Sequence, residues 1–274
     1  MKIDKTPPSA ALVVTTGTLG LNGWYTSNVT ISTQGSDSVS TPATCTGNQV
    51  QGADTTGAVF NGSCTNAAGL SASATPLTVK LDKTPPTISI NSDIADGTAY
   101  YFGFVPAPGS CSATDATSGP PTPACALTGY DTTVGPHPLT AKASDEAGNV
   151  ATRTRSYTVL AWTLRGFYQP VEMNGVWNSV KGGATVPLKF EVFAGPTELT
   201  DTSIVSLSAA RVACTAAEGD PIDLLSTGGT SLRYDTVAGQ YVFNWQTPRT
   251  PGQCYQITLT TQDSSSISAL FRIK

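Results

Sequence analysis

The chain has 274 residues and a net charge of −4 from 15 basic and 19 acidic side chains. It is rich in Thr, Ser, Ala, Gly, Val and Pro and poor in the Glu and Lys that populate surface helices, which favours strands and turns. Its basic residues are scattered, which argues against a nucleic-acid surface, and no stretch approaches the ~20 consecutive apolar residues of a membrane-spanning helix.

At ~100 residues per sandwich, this length suits two or three all-β modules. The opening Met1-Lys2-Ile3-Asp4 lacks the apolar core of a signal peptide. Six cysteines without a C-x-x-C pair read as disulfides rather than a metal site, and disulfides imply an oxidising compartment. The expectation is a piece of a larger exported protein, secreted or at the cell surface, with Met1 added at the cut.

Asp4-Lys5-Thr6-Pro7-Pro8 opens the first module. The two prolines fix φ twice and push Thr6 into an extended conformation, giving a stiff lead into the first strand. Val29, Ile31 and Thr33 alternate onto one face of a strand, as do Leu77, Val79 and Leu81. Between them, Asn66-Ala67-Ala68-Gly69 reads as a hairpin turn with Gly at the positive-φ position.

The pattern then repeats. Asp82-Lys83-Thr84-Pro85-Pro86 stands 78 residues after the first opening, and Ser112-Ala113-Thr114-Asp115 stands 78 after Gln34-Gly35-Ser36-Asp37. Ser144-Asp145-Glu146-Ala147-Gly148-Asn149 follows Thr65-Asn66-Ala67-Ala68-Gly69-Leu70 by 79. Blocks at one offset mark a tandem module, with boundaries at 1–81 and 82–160. Leu139, Ala141 and Ala143 line one face of a strand in the second copy.

Cys45 and Cys125 fall at similar places in the two copies, whereas Cys111 matches Thr33 and Cys64 matches Ala143. Pairings Cys45–Cys64 and Cys111–Cys125 follow, both expected to join strands facing each other across the core. Cys214 and Cys254 are left to pair in the remaining segment, 161–274. That segment shows strands through Val186, Leu188, Phe190 and Val192; Tyr241, Phe243 and Trp245; Tyr255, Ile257 and Leu259; and Ile267, Ala269, Phe271 and Ile273.

Asn22-Gly23-Trp24-Tyr25-Thr26-Ser27-Asn28-Val29-Thr30, Asp37, Asn66-Ala67-Ala68-Gly69 and the Asp82-Lys83-Thr84-Pro85-Pro86 junction resemble tandem immunoglobulin-like modules of bacterial secreted and surface proteins. Asp115 to Gly119, Val134-Gly135-Pro136-His137 and Asp145 to Asn149 carry the same resemblance in the second copy. The tail is similar to the PxKF domain, through Val186-Pro187-Leu188-Lys189-Phe190, Tyr241 to Trp245, Pro251-Gly252-Gln253-Cys254-Tyr255 and Phe271-Arg272-Ile273-Lys274. Asp263-Ser264-Ser265-Ser266 departs from the Asp-Gly turn usual there, and a looser hairpin is expected. The resemblance implies three immunoglobulin-like β-sandwich modules in a row, acting as extracellular structural or adhesive units without a known active site.

Candidate chemistry is sparse. His137, the lone histidine, lies between Pro136 and Pro138 and reads as a turn residue rather than a catalytic base. Asp145 and Glu146 are neighbours in a turn, unlike the opposed carboxylates of a glycosidase. Residues 82–160 hold seven carboxylates against four basic groups. Asp82, Asp115, Asp145 and Glu146, with Asp4, are therefore weak calcium candidates, against the simpler reading that Asp37 and Asp115 cap turns. No other cofactor is expected. Lys189 alternates outward, against an intramolecular isopeptide bond. Phe167, Tyr168 and Trp177 lie in an irregular stretch and are the candidate glycan or partner contacts; Trp24, Trp162 and Trp245 read as packing residues. Asn28-Val29-Thr30 and Asn61-Gly62-Ser63 match the glycosylation pattern, by coincidence in a bacterial protein.

The reading is a rigid spacer or presentation segment whose partners are neighbouring domains of a parent protein. Cell-surface glycan or protein is a further candidate partner, and the alternatives are a carbohydrate-binding module of a secreted hydrolase and a self-associating subunit of a surface fibre.

Overall fold

The computed structural model describes residues 3–119, 125–214, 221–222 and 231–274. Among the described residues the chain is all strand and turn apart from one 3-10 turn, Thr202–Ile204. Its strands form antiparallel and mixed sheets layered around apolar cores. Two compact units result: Met1–Asp96 with Pro106–Tyr130 and Pro138–Ser156, and Gly97–Val105 with Asp131–His137 and Tyr157–Lys274.

In the first unit, Val29–Gln34 pairs antiparallel with Ala11–Thr16 on one side and Gln49–Gln51 on the other. Leu77–Leu81 pairs antiparallel with Thr55–Phe60 and parallel with Trp24–Tyr25. Val29, Ile31, Phe60 and Val79 form the core of this copy, the alternation of both strands having turned their apolar faces inward. Each such side chain contributes about 1.5–3 kcal/mol on burial.

A third small sheet, Thr44–Cys45, Ser63–Thr65 and Ser71–Ser73, places Cys45 directly opposite Cys64. The Cys45–Cys64 and Cys111–Cys125 disulfides form as the sequence suggests. The first corrects one expectation, however. It joins neighbouring strands of one sheet, so the staple does not cross the core.

In the second copy Thr87–Asn91 pairs with Ser110–Thr114, and Ala126–Thr128 pairs with the 140–142 part of the next strand. Ile88, Ile90, Ile94, Leu139, Ala141 and Ala143 are buried. The Arg155 guanidinium donates to the carbonyls of Ile90, Ser92 and Ile94, and Arg153 to that of Ile88, so two arginines tie down a backbone edge.

The second unit holds two larger sheets. One runs Thr163–Gly166, Thr185–Ala194, Gln240–Gln246 and Arg233–Asp235, with Thr197–Leu199 added beside Thr185–Ala194. The other runs Trp177–Val180, Ser266–Ile273, Cys254–Thr261, Val205–Val212 and Pro221–Ile222. Leu188, Phe190, Tyr241, Trp245, Ile257, Leu259, Phe271 and Ile273 fill one core. Phe190 stacks on Tyr241 at 5.0 Å, and Trp245 meets Phe271 edge-on at 4.9 Å. The Cys214–Cys254 disulfide forms here.

The hairpin at Asp263 is tight, contrary to expectation. Thr261 N–H donates to Ser265 O and Ser264 takes the positive φ, 68°, that glycine would supply. Asp263 is buried and collects hydrogen bonds from Trp162 N–H, Thr261 Oγ1 and Ser265. Burial works against its charge, but these donors outweigh it and hold the carboxyl below the usual carboxylate range.

Candidate functional site

The junction between the two repeats lies within the first compact unit and is densely hydrogen-bonded. Pro85 and Pro86 keep Thr84 extended, and Asp82 caps it locally, its Oδ1 accepting from Thr84 N–H at 3.0 Å. Toward the first repeat, Asp82 N–H donates to Tyr25 O at 2.9 Å. Asp54 accepts from Lys83 N–H at 3.0 Å and from Thr84 Oγ1 at 2.6 Å, and Lys83 Nζ donates to Asn28 Oδ1 at 3.0 Å. Toward the second repeat, Asp82 Oδ2 accepts from Ser118 N–H at 3.0 Å and Asp82 O from Asn149 Nδ2 at 3.1 Å.

A second seam lies alongside. Leu21 N–H donates to Ala147 O at 2.9 Å, and Asn22 Nδ2 donates to Glu146 O at 3.0 Å and Oε2 at 2.7 Å. A Cβ on Gly20 would lie 2.3 Å from Ala147 O, so only glycine allows this approach.

At the centre of the junction, oxygens of Asp82, Asp115 and Asp145 lie within 4.8 Å of one another. Asp82 and Asp145 are buried and Asp115 is half-buried. Asp115 Oδ1 accepts from the backbone N–H groups of Thr117, Ser118 and Gly119. Asp145 accepts from Asn149 N–H at 2.8 Å and Asn149 Nδ2 at 2.9 Å. Glu146 is not part of the group: its carboxylate is taken by Asn22, which removes it from the calcium candidates.

The first repeat has the same node with one change. Asp4 and Asp37 match Asp82 and Asp115, but Asn66 stands where Asp145 stands. The Asn66 amide donates to Asp4 Oδ2 at 3.0 Å, Asp37 Oδ2 at 3.1 Å and Thr6 O at 3.1 Å, and Ser40 Oγ also donates to Asp4. The Ser40 backbone N–H, the Asn66 amide and the Val39 N–H hold the Asp37 carboxyl below its usual range. Asp4 thus belongs to a self-satisfied hydrogen-bond node.

An amide can donate to two carboxylates at once, whereas an ionised third carboxylate brings no donor, and the three here are held by backbone and Asn149 N–H groups. The donor set is all oxygen, which suits a hard ion such as calcium or magnesium and no thiophilic metal. Calcium takes ~6–8 oxygens, so the three side chains would need carbonyls or water to complete the shell.

The other candidates do not converge. Phe167 is buried at 4% exposure and packs edge-on against Phe190, which removes it from the surface contacts. The irregular stretch around it has no period from which to read direction. Tyr168 is half-buried with its hydroxyl donating to Glu191 at 2.7 Å; burial, then that hydrogen bond, pushes it up to about 12. Trp177 is half-buried, with the Arg272 guanidinium 5.7 Å from its ring centre. His137 Nε2 lies 2.6 Å from Thr133 O. Asn28 is engaged by Lys83. Asp54 and Asn149 were not singled out from sequence. Asn149 closes the Asp145 to Asn149 turn and was readable there, while Asp54 sits in a loop without any pattern.

No family model matches the chain and no curated protein does. Among solved structures it is similar to three N-terminal domains of the bacteriophage RB49 Highly Immunogenic Outer Capsid protein, at 10% identity, covering 97% of this chain and 99% of that one, with a TM-score of 0.40. It is also similar to Drosophila OTK extracellular domains 3–5, at 10% identity, 83% and 74% coverage and a TM-score of 0.25. The fibronectin(III)-like modules of Clostridium thermocellum CbhA match at 16% identity, 69% and 94% coverage and a TM-score of 0.23. The fold assignment rests on the strands and cores described above.

Proposed function

We propose that this chain is a non-catalytic, extracellular spacer or presentation segment. It consists of immunoglobulin-like modules at 1–81 and 82–160 and a PxKF-type module at 161–274, in the service of neighbouring domains of a parent protein. The observation that carries this reading is the junction. A free linker would be rich in Gly and Ser and unbonded. Here Asp82, Lys83 and Thr84 are bonded to both repeats, through Tyr25, Asp54 and Asn28 on one side and Ser118 and Asn149 on the other. Disulfides closing sequence separations of 19, 14 and 40 residues add resistance to unfolding outside the cell, about 3 kcal/mol for a ~15-residue loop.

Calcium at Asp82, Asp115 and Asp145 is part of the reading. Asp82 belongs to the junction itself, so an ion there would fasten the hinge and not merely one loop. A three-ring glycan platform is not favoured, because Phe167 belongs to the core.

Limited trypsin digestion tests the reading. Lys5 and Lys83 occupy equivalent places, and Lys83 is held at its backbone N–H by Asp54 and at its Nζ by Asn28. Cleavage after Lys83 should be much slower than after Lys5, and Asp54→Ala should expose it. Equal cleavage at both lysines in the unmodified chain would refute a locked junction.

A further inference from the structure

The edge strand Trp177–Val180 pairs parallel with the last strand, Ser179 lying opposite Arg272. Asn178 and Val180 share the side of Phe271 and Ile273, which belong to the core. The period of two therefore turns Trp177 and Ser179 to the other side, together with Arg272; Lys181 and Lys274 directly follow the two strands and are exposed. Beyond the strand ends, a cavity of about 640 Å³ opens, lined by Lys181, Arg249 and Lys274 around the Gly182-Gly183 turn, with no acidic residue in its wall.

The turn shapes this cavity. Gly183 has φ +81°, which favours glycine, and the Arg249 side chain lies alongside it. The turn's backbone donors are already used: Gly182 N–H donates to Lys274 O and Gly183 N–H to Thr247 O. Anything bound there must be matched by side chains, and all three charged ones are cationic. A free α-carboxylate at Lys274 would offset one of them and leave two.

We infer that this stripe is a binding site for an acidic carbohydrate chain, with a carboxylate or sulfate of one sugar seated among Lys181, Arg249 and Lys274 and a neighbouring sugar against Trp177 and Arg272. Three observations converge. The depression between Lys181, Arg249 and Lys274 is open to solvent and has room for one sugar residue. Arg249 offers a planar fork that pairs with carboxylate or sulfate, and the lysines supply point charge. Trp177, half-buried with the Arg272 guanidinium over its ring, supplies an aromatic surface at the start of the strand that ends at Val180, next to Lys181. The inference is independent of the spacer reading, since it concerns only the 161–274 segment and not the junction.

Nuclear magnetic resonance titration of the whole chain tests it, using a sulfated heparin-derived tetrasaccharide, a tetragalacturonate, a neutral maltotetraose and inorganic sulfate. Both acidic sugars should shift the amides of 177–183 and 249–253 with affinity that falls as salt rises. Maltotetraose should shift none, and sulfate should move only the cavity amides, at least tenfold more weakly. The double change Lys181→Gln with Arg249→Gln, at two exposed positions, should cut acidic-sugar affinity tenfold or more while leaving the spectrum elsewhere unchanged. Trp177→Phe should keep sulfate binding and weaken the sugars. Equal binding of neutral and acidic sugars, undiminished binding by the double variant, or tighter binding of a short DNA duplex than of either acidic sugar would each overturn the assignment.

Discussion

The two repeats solve one problem in two ways. At the base of the first, Asn66 donates its amide to Asp4 and Asp37, and the node is complete with protein atoms alone. At the base of the second, the same place holds Asp145 beside Asp82 and Asp115, and the node gathers three carboxylates within 4.8 Å. One oxygen-for-nitrogen difference separates a node of two carboxylates bridged by an amide from a node of three carboxylates. The second node is also the one at the junction of the two sequence repeats, where Asn149 ties Asp82 to the turn carrying Asp145.

The largest effect should come from breaking the first node. Asn66→Ala leaves two carboxylates facing each other without their shared donor; hydrogen bonds to charged groups are worth ~1.5–3 kcal/mol each, so a loss of about 3 kcal/mol in urea unfolding is expected, independent of calcium. Next comes calcium itself. Free ion at ~100 times its dissociation constant should stabilise the second node by about 2.7 kcal/mol, seen as a higher melting temperature with calcium than with a chelator. Asp145→Asn should convert the second node to the chemistry of the first, abolishing that difference and stabilising the chelated protein by about 1 kcal/mol. Asn66→Asp should do the reverse and make the first node calcium-dependent.

Acid separates the nodes further. The Asp37 carboxyl is held below its usual range by the Ser40 N–H, the Asn66 amide and the Val39 N–H. Its stabilising contribution is therefore complete above the unfolded value of ~3.9 and is lost as pH falls through the lower folded value. Asp37→Asn should flatten the acid limb of a stability–pH profile; an unchanged limb would show that the carboxylate carries no such linkage. Smallest of all, Asn22→Ala removes the seam to Glu146, an exposed contact worth about 0.5–1.5 kcal/mol, and should leave calcium dependence intact.

Much of this was legible in the residues. The period of two placed Val29, Ile31, Leu188, Phe190 and Ile257 in their cores, because a strand with one wet face has no other register. The 78-residue offset brought Asp82 and Asp115 into correspondence with Asp4 and Asp37, and the turn blocks did so for Asp145 and Asn66. What escaped were partners chosen by tertiary approach. Asp54 meets Lys83 and Thr84 across 29 and 30 residues with no local signature. Phe167 turned inward from a stretch without periodicity, and Ser264 filled a positive-φ turn that glycine usually takes. Glu146 carried the right chemistry for the ion but the wrong direction, since a neighbour in a turn points away from Asp145.

Residual dipolar couplings over 3–81 and 82–156, with and without calcium, test the locked junction most directly. The account predicts that both repeats share one alignment tensor when calcium is present, and that Asp54→Ala together with Asp82→Asn gives each its own. Two tensors of different magnitude in the unmodified, calcium-saturated chain would mean a free hinge and would contradict it.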